Sequence, residues 1–323
     1  MTTLITGGTG FIGSRNVRDL VREGETAIVY DWQPDRRALE RVLTNEEISG
    51  KVKIIHGDVT NFPLLFRILK ENNVDKIIHM AGLLIHDVIA NPLMGVKVNC
   101  EGTTNVFEAA RLLSLKKVVW PSSGSVYGPP EMYSQEYVPN EAPHYPQNLY
   151  GASKSFDEMI AAHYIDKYGL DITGLRFVMV YGNGQSRGRT AAIVRELICN
   201  PALGKSGKVP AAGDNILGWT YIEDAATAVR LALKAVHPKT KTYSVRGDIR
   251  LVKEIAEYVK KFFPEAEINL MPLERSASHT IMTCKYDTSA IEKELGFYPR
   301  WSAKDGVKDT INSIRHENGL SPV

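Results

Sequence analysis

Six residues into the chain, TGGTGFIG (6–13) sets Gly7, Gly10 and Gly13 between a β-branched run, TTLIT (2–6), and an amphipathic stretch over 11–23. A strand that must turn into a helix within a few residues needs positions without a Cβ. The helix then begins with unpaired N–H groups and the positive end of its dipole facing the turn. Pyrophosphate suits such a turn, because glycine lets it approach the backbone and the helix N-terminus answers its charge.

From there the chain alternates short apolar runs with helical periodicity. Strands are expected at 2–6, 26–31, 51–57, 75–82, 116–123 and 171–178, with helices at 11–23, 35–48, 61–72, 90–113 and 148–168. Each helical stretch is long enough to cross over a sheet, so the fold class is α/β, a doubly wound parallel sheet. Past about residue 180 the rhythm loosens into Gly-, Pro- and Asn-rich loops. A strand near 242–245 and helices near 251–263 and 303–316 follow. The expected division is a dinucleotide-binding domain over 1–180, with a return segment near 214–245, and a smaller C-terminal substrate-binding lobe over most of 181–323.

Charge and cysteine usage narrow the partners. Lys and Arg number 39 against 37 Asp and Glu, with no long block of either sign, which gives no electrostatic case for nucleic acid or a membrane surface. No apolar stretch approaches the ~18 to 20 residues of a membrane span. Cys100, Cys199 and Cys284 are far apart and show no C-x-x-C spacing, so they read as small buried residues of a cytoplasmic protein. His79, His86, His144 and His163 lack paired ligand spacing, and no metal is expected.

Asp31 closes the second expected strand, where a carboxylate accepts hydrogen bonds from both hydroxyls of an adenosine ribose and repels a 2′-phosphate. NAD is therefore favoured over NADP, although Arg36 and Arg37 follow closely and offer a phosphate contact if they are not simply the solvated start of a helix. Asp58, in HGDVT, either meets the adenine edge or caps the next helix. Further on, YGASK (150–154) puts Tyr150 and Lys154 on one helical face. A phenol titrates near ~10, and a neighbouring ammonium favours its phenolate, which can then take a hydroxyl proton. WPSSGSVYG (120–128) ends the fifth strand with Ser122, Ser123 and Ser125 at the carboxyl edge of the sheet.

These motifs, with HMAG (79–82), VNCEGTTN (98–105), LRFVMVYG (175–182), YIEDAA (221–226) and DTSAIEKELGFYP (287–299), resemble the extended short-chain dehydrogenase/reductases, the NAD-dependent epimerase/dehydratase family, nearly end to end. The resemblance implies a Rossmann-type fold with NAD as cofactor. It makes Ser123 the catalytic hydroxyl, Tyr150 the acid/base and Lys154 the ribose-binding partner. It places Phe11 and Ile12 in the phosphate turn, Asp58 and Val59 at adenine, Ala81 and Gly82 at the nicotinamide side, and Asn99 and Phe177 among the cofactor contacts. It also implies a homodimer built on the helices near 90–113 and 148–168.

Departures from the family pattern bear on the substrate. Dehydratases carry Asp-Glu after the catalytic hydroxyl residue, where this chain has Gly124 and Ser125, so dehydration is not expected. Sugar-nucleotide epimerases grip a diphosphate with an Asn where this chain has Met179 and with an Arg where it has Leu217. A third family Arg aligns with Ala277, close to Arg275. Each charge-assisted bond lost costs roughly 1.5 to 3 kcal/mol. Arg187, Arg189 and Thr190 instead offer a site for a carboxylate or small phosphate, with Leu84, Met179, Trp219, Ser123 and Ser125 completing the substrate wall. The leading expectation is an NAD-dependent oxidoreductase acting on a secondary alcohol or ketone of a small, polar, non-nucleotide substrate. The alternatives are a UDP-sugar 4-epimerase and a non-catalytic NAD-binding protein.

Overall fold

The computed structural model describes residues 1–271 and 285–323; Arg275, Ala277 and Cys284 lie outside the described residues. Six strands form where the apolar runs predict them: β1 (Thr2–Thr6), β2 (Thr26–Asp31), β3 (Val52–His56), β4 (Lys76–His79), β5 (Lys117–Ser123) and β6 (Ile172–Phe177). They are followed by β7 (Met179–Tyr181), β8 (Gly207–Val209), β9 (Ile216–Tyr221), β10 (Thr242–Val245), β11 (Asp248–Leu251) and β12 (Ile268–Leu270). The central sheet is seven-stranded in the order β10-β6-β5-β4-β1-β2-β3, and its neighbours pair in parallel.

Both faces of this sheet are covered, which is why its strands read as continuous apolar runs rather than alternating ones. Successive residues enter opposite layers. Leu4, Val118 and Trp120 pack with Leu65, Phe107 and Tyr164, whereas Ile5 and Val119 join the larger core of Val17, Leu20, Ala225 and Val229.

Two expected helices are broken by local chemistry. The 35–48 stretch becomes Arg36–Glu40 and Asn45–Lys51, because Thr44 and Glu47 form a capping box that starts a new helix. The 90–113 stretch restarts at Pro92, capped by Asn91, and passes through the widened turns of Val96–Glu101 before Gly102–Leu112. The periodicity also left out Ile85–Ala90 and Ile222–Lys234. A second sheet, β11-β9-β7, arises from short runs that read as loop, with β9 antiparallel to β11 and parallel to β7. β8 and β12 pair separately.

Candidate active site

Strand order reverses between β1 and β4, so the carboxyl ends of these neighbours open a crevice of the kind in which α/β proteins bind ligands. The glycine turn lies in it. Gly7 has a φ of +63°, and a Cβ there would stand 2.8 Å from the Ala81 nitrogen; one on Gly13 would stand 2.1 Å from the Gly7 carbonyl oxygen. Only glycine allows helix Phe11–Arg22 to close onto this turn. Gly10 caps that helix without a side-chain hydrogen bond and no acid occupies its first turn, an arrangement that fits a pyrophosphate.

Asp31 is held to the same turn. Its Oδ2 accepts from the Thr9 amide at 3.0 Å and the Thr9 hydroxyl at 2.7 Å, and its Oδ1 accepts from the Gln33 amide at 3.2 Å. Spacing alone did not single out Thr9; only the fold brings it to the end of β2. Arg36 is engaged by Glu40 at 2.9 Å and Asn45 at 3.0 Å, and Arg37 donates two bonds of 3.0 Å to Asp35. Asp58 accepts from the Thr60 amide at 2.8 Å, while Asn61 caps the following helix through the Leu64 amide at 3.1 Å. The capping alternative for Asp58 is thereby removed. Val59 is buried, and its carbonyl accepts from Asn105 Nδ2 at 3.0 Å.

Ala81 and Gly82 follow β4 directly. The Thr6 hydroxyl accepts from the Met80 and Ala81 amides, both at 3.1 Å, and sits 2.7 Å from His79 Nδ1. With its lone pairs so occupied, Thr6 donates to Nδ1. The ring proton then belongs on Nε2, 3.1 Å from the Thr103 hydroxyl. Burial, reinforced by the Lys154 charge, pushes His79 down to about 3, so it is neutral. Asn99, fully buried, accepts from the Leu83 amide at 2.8 Å and donates to the Leu83 carbonyl at 3.1 Å. Its role is to hold the loop after Gly82.

At the end of β5, the Ser123 hydroxyl accepts from the Ser125 amide and donates to the Ser125 hydroxyl, each at 3.1 Å. Phe177 lies opposite Ser123 in the neighbouring strand. Tyr150 and Lys154 stand on helix Leu149–Tyr168, capped by Asn148, which accepts from the Gly151 amide at 2.9 Å. A Cβ on Gly151 would fall 2.1 Å from the Ser125 carbonyl oxygen, so the first turn of this helix rests directly on the serine segment. Tyr150 is half-buried beside that contact, and Lys154 is buried with its Nζ 5.6 Å from the Trp120 ring centroid. The fold thus brings the three proposed catalytic residues to one end of the crevice.

The expected substrate wall is only partly assembled. Leu84 is exposed and a Cβ on Gly188 would sit 3.2 Å from it, so the loops after β4 and β7 meet. Arg187 is tied to Asp87 at 3.0 Å in an exposed pair. Arg189 is half-buried and donates to the Pro210 carbonyl at 3.1 Å, and burial lowers its hold on its proton. Thr190 follows it, half-buried. Met179, Leu217 and Trp219 are core residues: they are 2, 1 and 0% exposed, and the Trp219 ring packs edge-on against Tyr181. Their position in a compact second sheet is what their apolar character reflects.

Residues 3–246 match the model of the NAD dependent epimerase/dehydratase family. A putative UDP-glucose 4-epimerase of Methanocaldococcus jannaschii is 27% identical over 325 residues, 98% of this chain and 99% of that protein. The UDP-glucose 4-epimerase of Lactobacillus helveticus is 30% identical over 250 residues, 72% of each chain. Among solved structures, the dTDP-glucose 4,6-dehydratase of Streptomyces venezuelae with NAD bound has a TM-score of 0.82 at 26% identity, covering 99% of this chain and 98% of that one. A partial-consensus L-threonine 3-dehydrogenase reaches 0.86 at 21% identity, covering 98% and 100%, a likeness of fold. With its glycine turn, its Asp31 and its serine–tyrosine–lysine end all in one crevice, this chain belongs to the NAD-dependent epimerase/dehydratase family of the extended short-chain dehydrogenase/reductases and is an NAD-dependent enzyme.

Proposed function

We propose that this enzyme oxidises a secondary alcohol of a small, acidic, non-nucleotide substrate, or reduces the matching ketone. The observation that carries the reading is Arg189, in the first turn of helix Gly188–Val194: a half-buried guanidinium that donates to the Pro210 carbonyl, in a chain that is apolar at 179 and 217. Family members that hold a diphosphate place an Asn and an Arg at those two positions. An anion at Arg189 would recover the solvation that burial removes. Of the two arginines, Arg187 already has Asp87, so Arg189 is the better anchor.

NAD, when bound, accepts or returns the hydride. Ser123 and Tyr150 hydrogen-bond the reacting oxygen. Tyr150 takes the hydroxyl proton during oxidation and gives it back during reduction, and Lys154 holds the ribose. A homodimer is part of this proposal. Leu93, Val96, Phe156 and Met159 are exposed apolar residues on the helices expected to pair, with Met159 73% exposed.

The named relatives favour a second reading, a UDP-sugar 4-epimerase. The two separate in one assay, in which enzyme and NAD are incubated with pooled polyols, with pooled hydroxy acids and with UDP-sugars, and NADH absorbance and product are followed together. Net NADH from a hydroxy acid, with KM raised by Arg189→Ala, supports the first reading. Conversion of UDP-glucose to UDP-galactose without net NADH would put the second in its place.

A further inference from the structure

One helical turn past Lys154, Asp157 is fully enclosed, and among the described residues neither of its carboxylate oxygens accepts a hydrogen bond. The charge that faces it is the Lys154 ammonium, with Nζ 3.5 Å from Oδ2, while the Trp120 ring covers that ammonium from β5. An acid so placed contributes little to packing that an alanine would not, and burying it is unfavourable. Its proximity to the lysine is the feature to be explained.

We propose that Asp157 is a positioning residue: its carboxylate is the counter-charge that holds the Lys154 ammonium in place for the cofactor ribose. Cofactor binding then depends on whether Asp157 carries a proton. This rests on the reading of Lys154 as the ribose-binding group.

The surroundings leave the titration to Asp157. Cys100 faces the pair from Val96–Glu101, and burial pushes its thiol up to about 11. His79 faces Lys154 from β4 and is pushed down to about 3. Glu158, next along the helix, is taken by Arg176 at 2.6 Å. Burial pushes the Asp157 carboxyl up to about 7, against the opposing pull of Lys154. Above that pH a carboxylate anchors the ammonium. Below it the acid is neutral and the ammonium loses its anchor. NAD binding therefore tightens as pH rises from 5.5 to 8.5.

The test is NAD affinity by calorimetry across that range, without substrate. The unsubstituted protein should bind NAD about five- to tenfold more tightly at pH 8.5 than at 5.5. Asp157→Asn should bind weakly and without this dependence, and Asp157→Glu should restore it. Retention of the original pH profile by Asp157→Asn overturns the proposal. Lys154→Ala separates the two levels: NAD affinity unchanged by that substitution at every pH would refute the ribose-binding reading itself. Should Asp157→Asn not fold, carboxyl carbon shifts in the unsubstituted protein decide. An Asp157 signal that titrates near 7 and shifts its midpoint when NAD is added supports the inference, and one that titrates near 4 or ignores NAD overturns it.

Discussion

At the scale of single residues, the site is a set of polar groups whose partners are already chosen by the fold. Ser123 is turned by its own Ser125 amide, whereas among the described residues no hydrogen bond from the Tyr150 hydroxyl constrains it, which suits a group that must meet a substrate oxygen. Tyr150→Phe should lower turnover by ~10² to 10⁴ while leaving NAD affinity nearly unchanged, because the ring still packs and only the proton-transfer group is lost. Steady-state rates beside NAD titrations check both halves. Asp31, clamped by Thr9, should make NADP bind about ten- to a hundredfold more weakly than NAD, roughly 1 to 3 kcal/mol. Equal affinities in paired titrations would refute the ribose assignment and turn attention to Arg36 and Arg37. The placement of Asp31 at a strand end and of Tyr150 and Lys154 on one helical face was legible because each follows from apolar runs or helical spacing within one element. Thr9 and Asp157 were not, because a threonine in a turn and an acid in a helix have no pattern until another element lies against them.

At the scale of elements, helix Leu149–Tyr168 is the part on which most depends. Gly151 lets its first turn touch the serine segment, and Glu158 ties its third turn to two strands. Glu158 accepts from the Ser122 hydroxyl at 2.5 Å and from Arg176 at 2.8 and 2.6 Å, and all three residues are buried. Removing one partner of such a pair strands the other charge. Glu158→Gln should cost about 3 kcal/mol in urea unfolding, whereas Lys241 and Asp166, an exposed pair, should contribute under ~1 kcal/mol. The outer face of the same helix carries the dimer proposal. Met159→Asp should convert a dimer to a monomer in light scattering without loss of secondary structure; a monomer in the unsubstituted protein would refute it. Expected strand positions agreed with those observed because parallel strands bury both faces and so announce themselves by apolar runs. The split at Thr44 and the widened turns at Val96–Glu101 were missed because capping and helix widening act on backbone bonds without disturbing apolar periodicity.

Across the whole molecule, two buried groups oppose each other in acid. His79 is neutral when folded down to about pH 3, yet protonates near 6.5 when unfolded, so its contribution to stability is lost as pH falls through that window. Asp157 has the reverse sign: its folded value near 7 exceeds the unfolded one near 4, so the folded state keeps a proton that unfolding releases. Between pH 4 and 6.5 the two slopes cancel, each about 1.4 kcal/mol per pH unit. Asp157→Asn should therefore expose a loss of stability towards acid larger than in the unsubstituted protein, measured as urea midpoints from pH 6.5 to 4.5. The sequence by itself determined the parallel α/β core, the glycine turn and the tyrosine–lysine face, since each follows from local apolar period, from the missing Cβ of glycine or from helical spacing. Only the tertiary structure decided that Arg187 is already paired, that Trp219 is interior and that Asp157 faces Lys154 out of water. Charge and burial are properties of a place in the fold, set by which distant segments close over a residue, and no spacing along the chain encodes them.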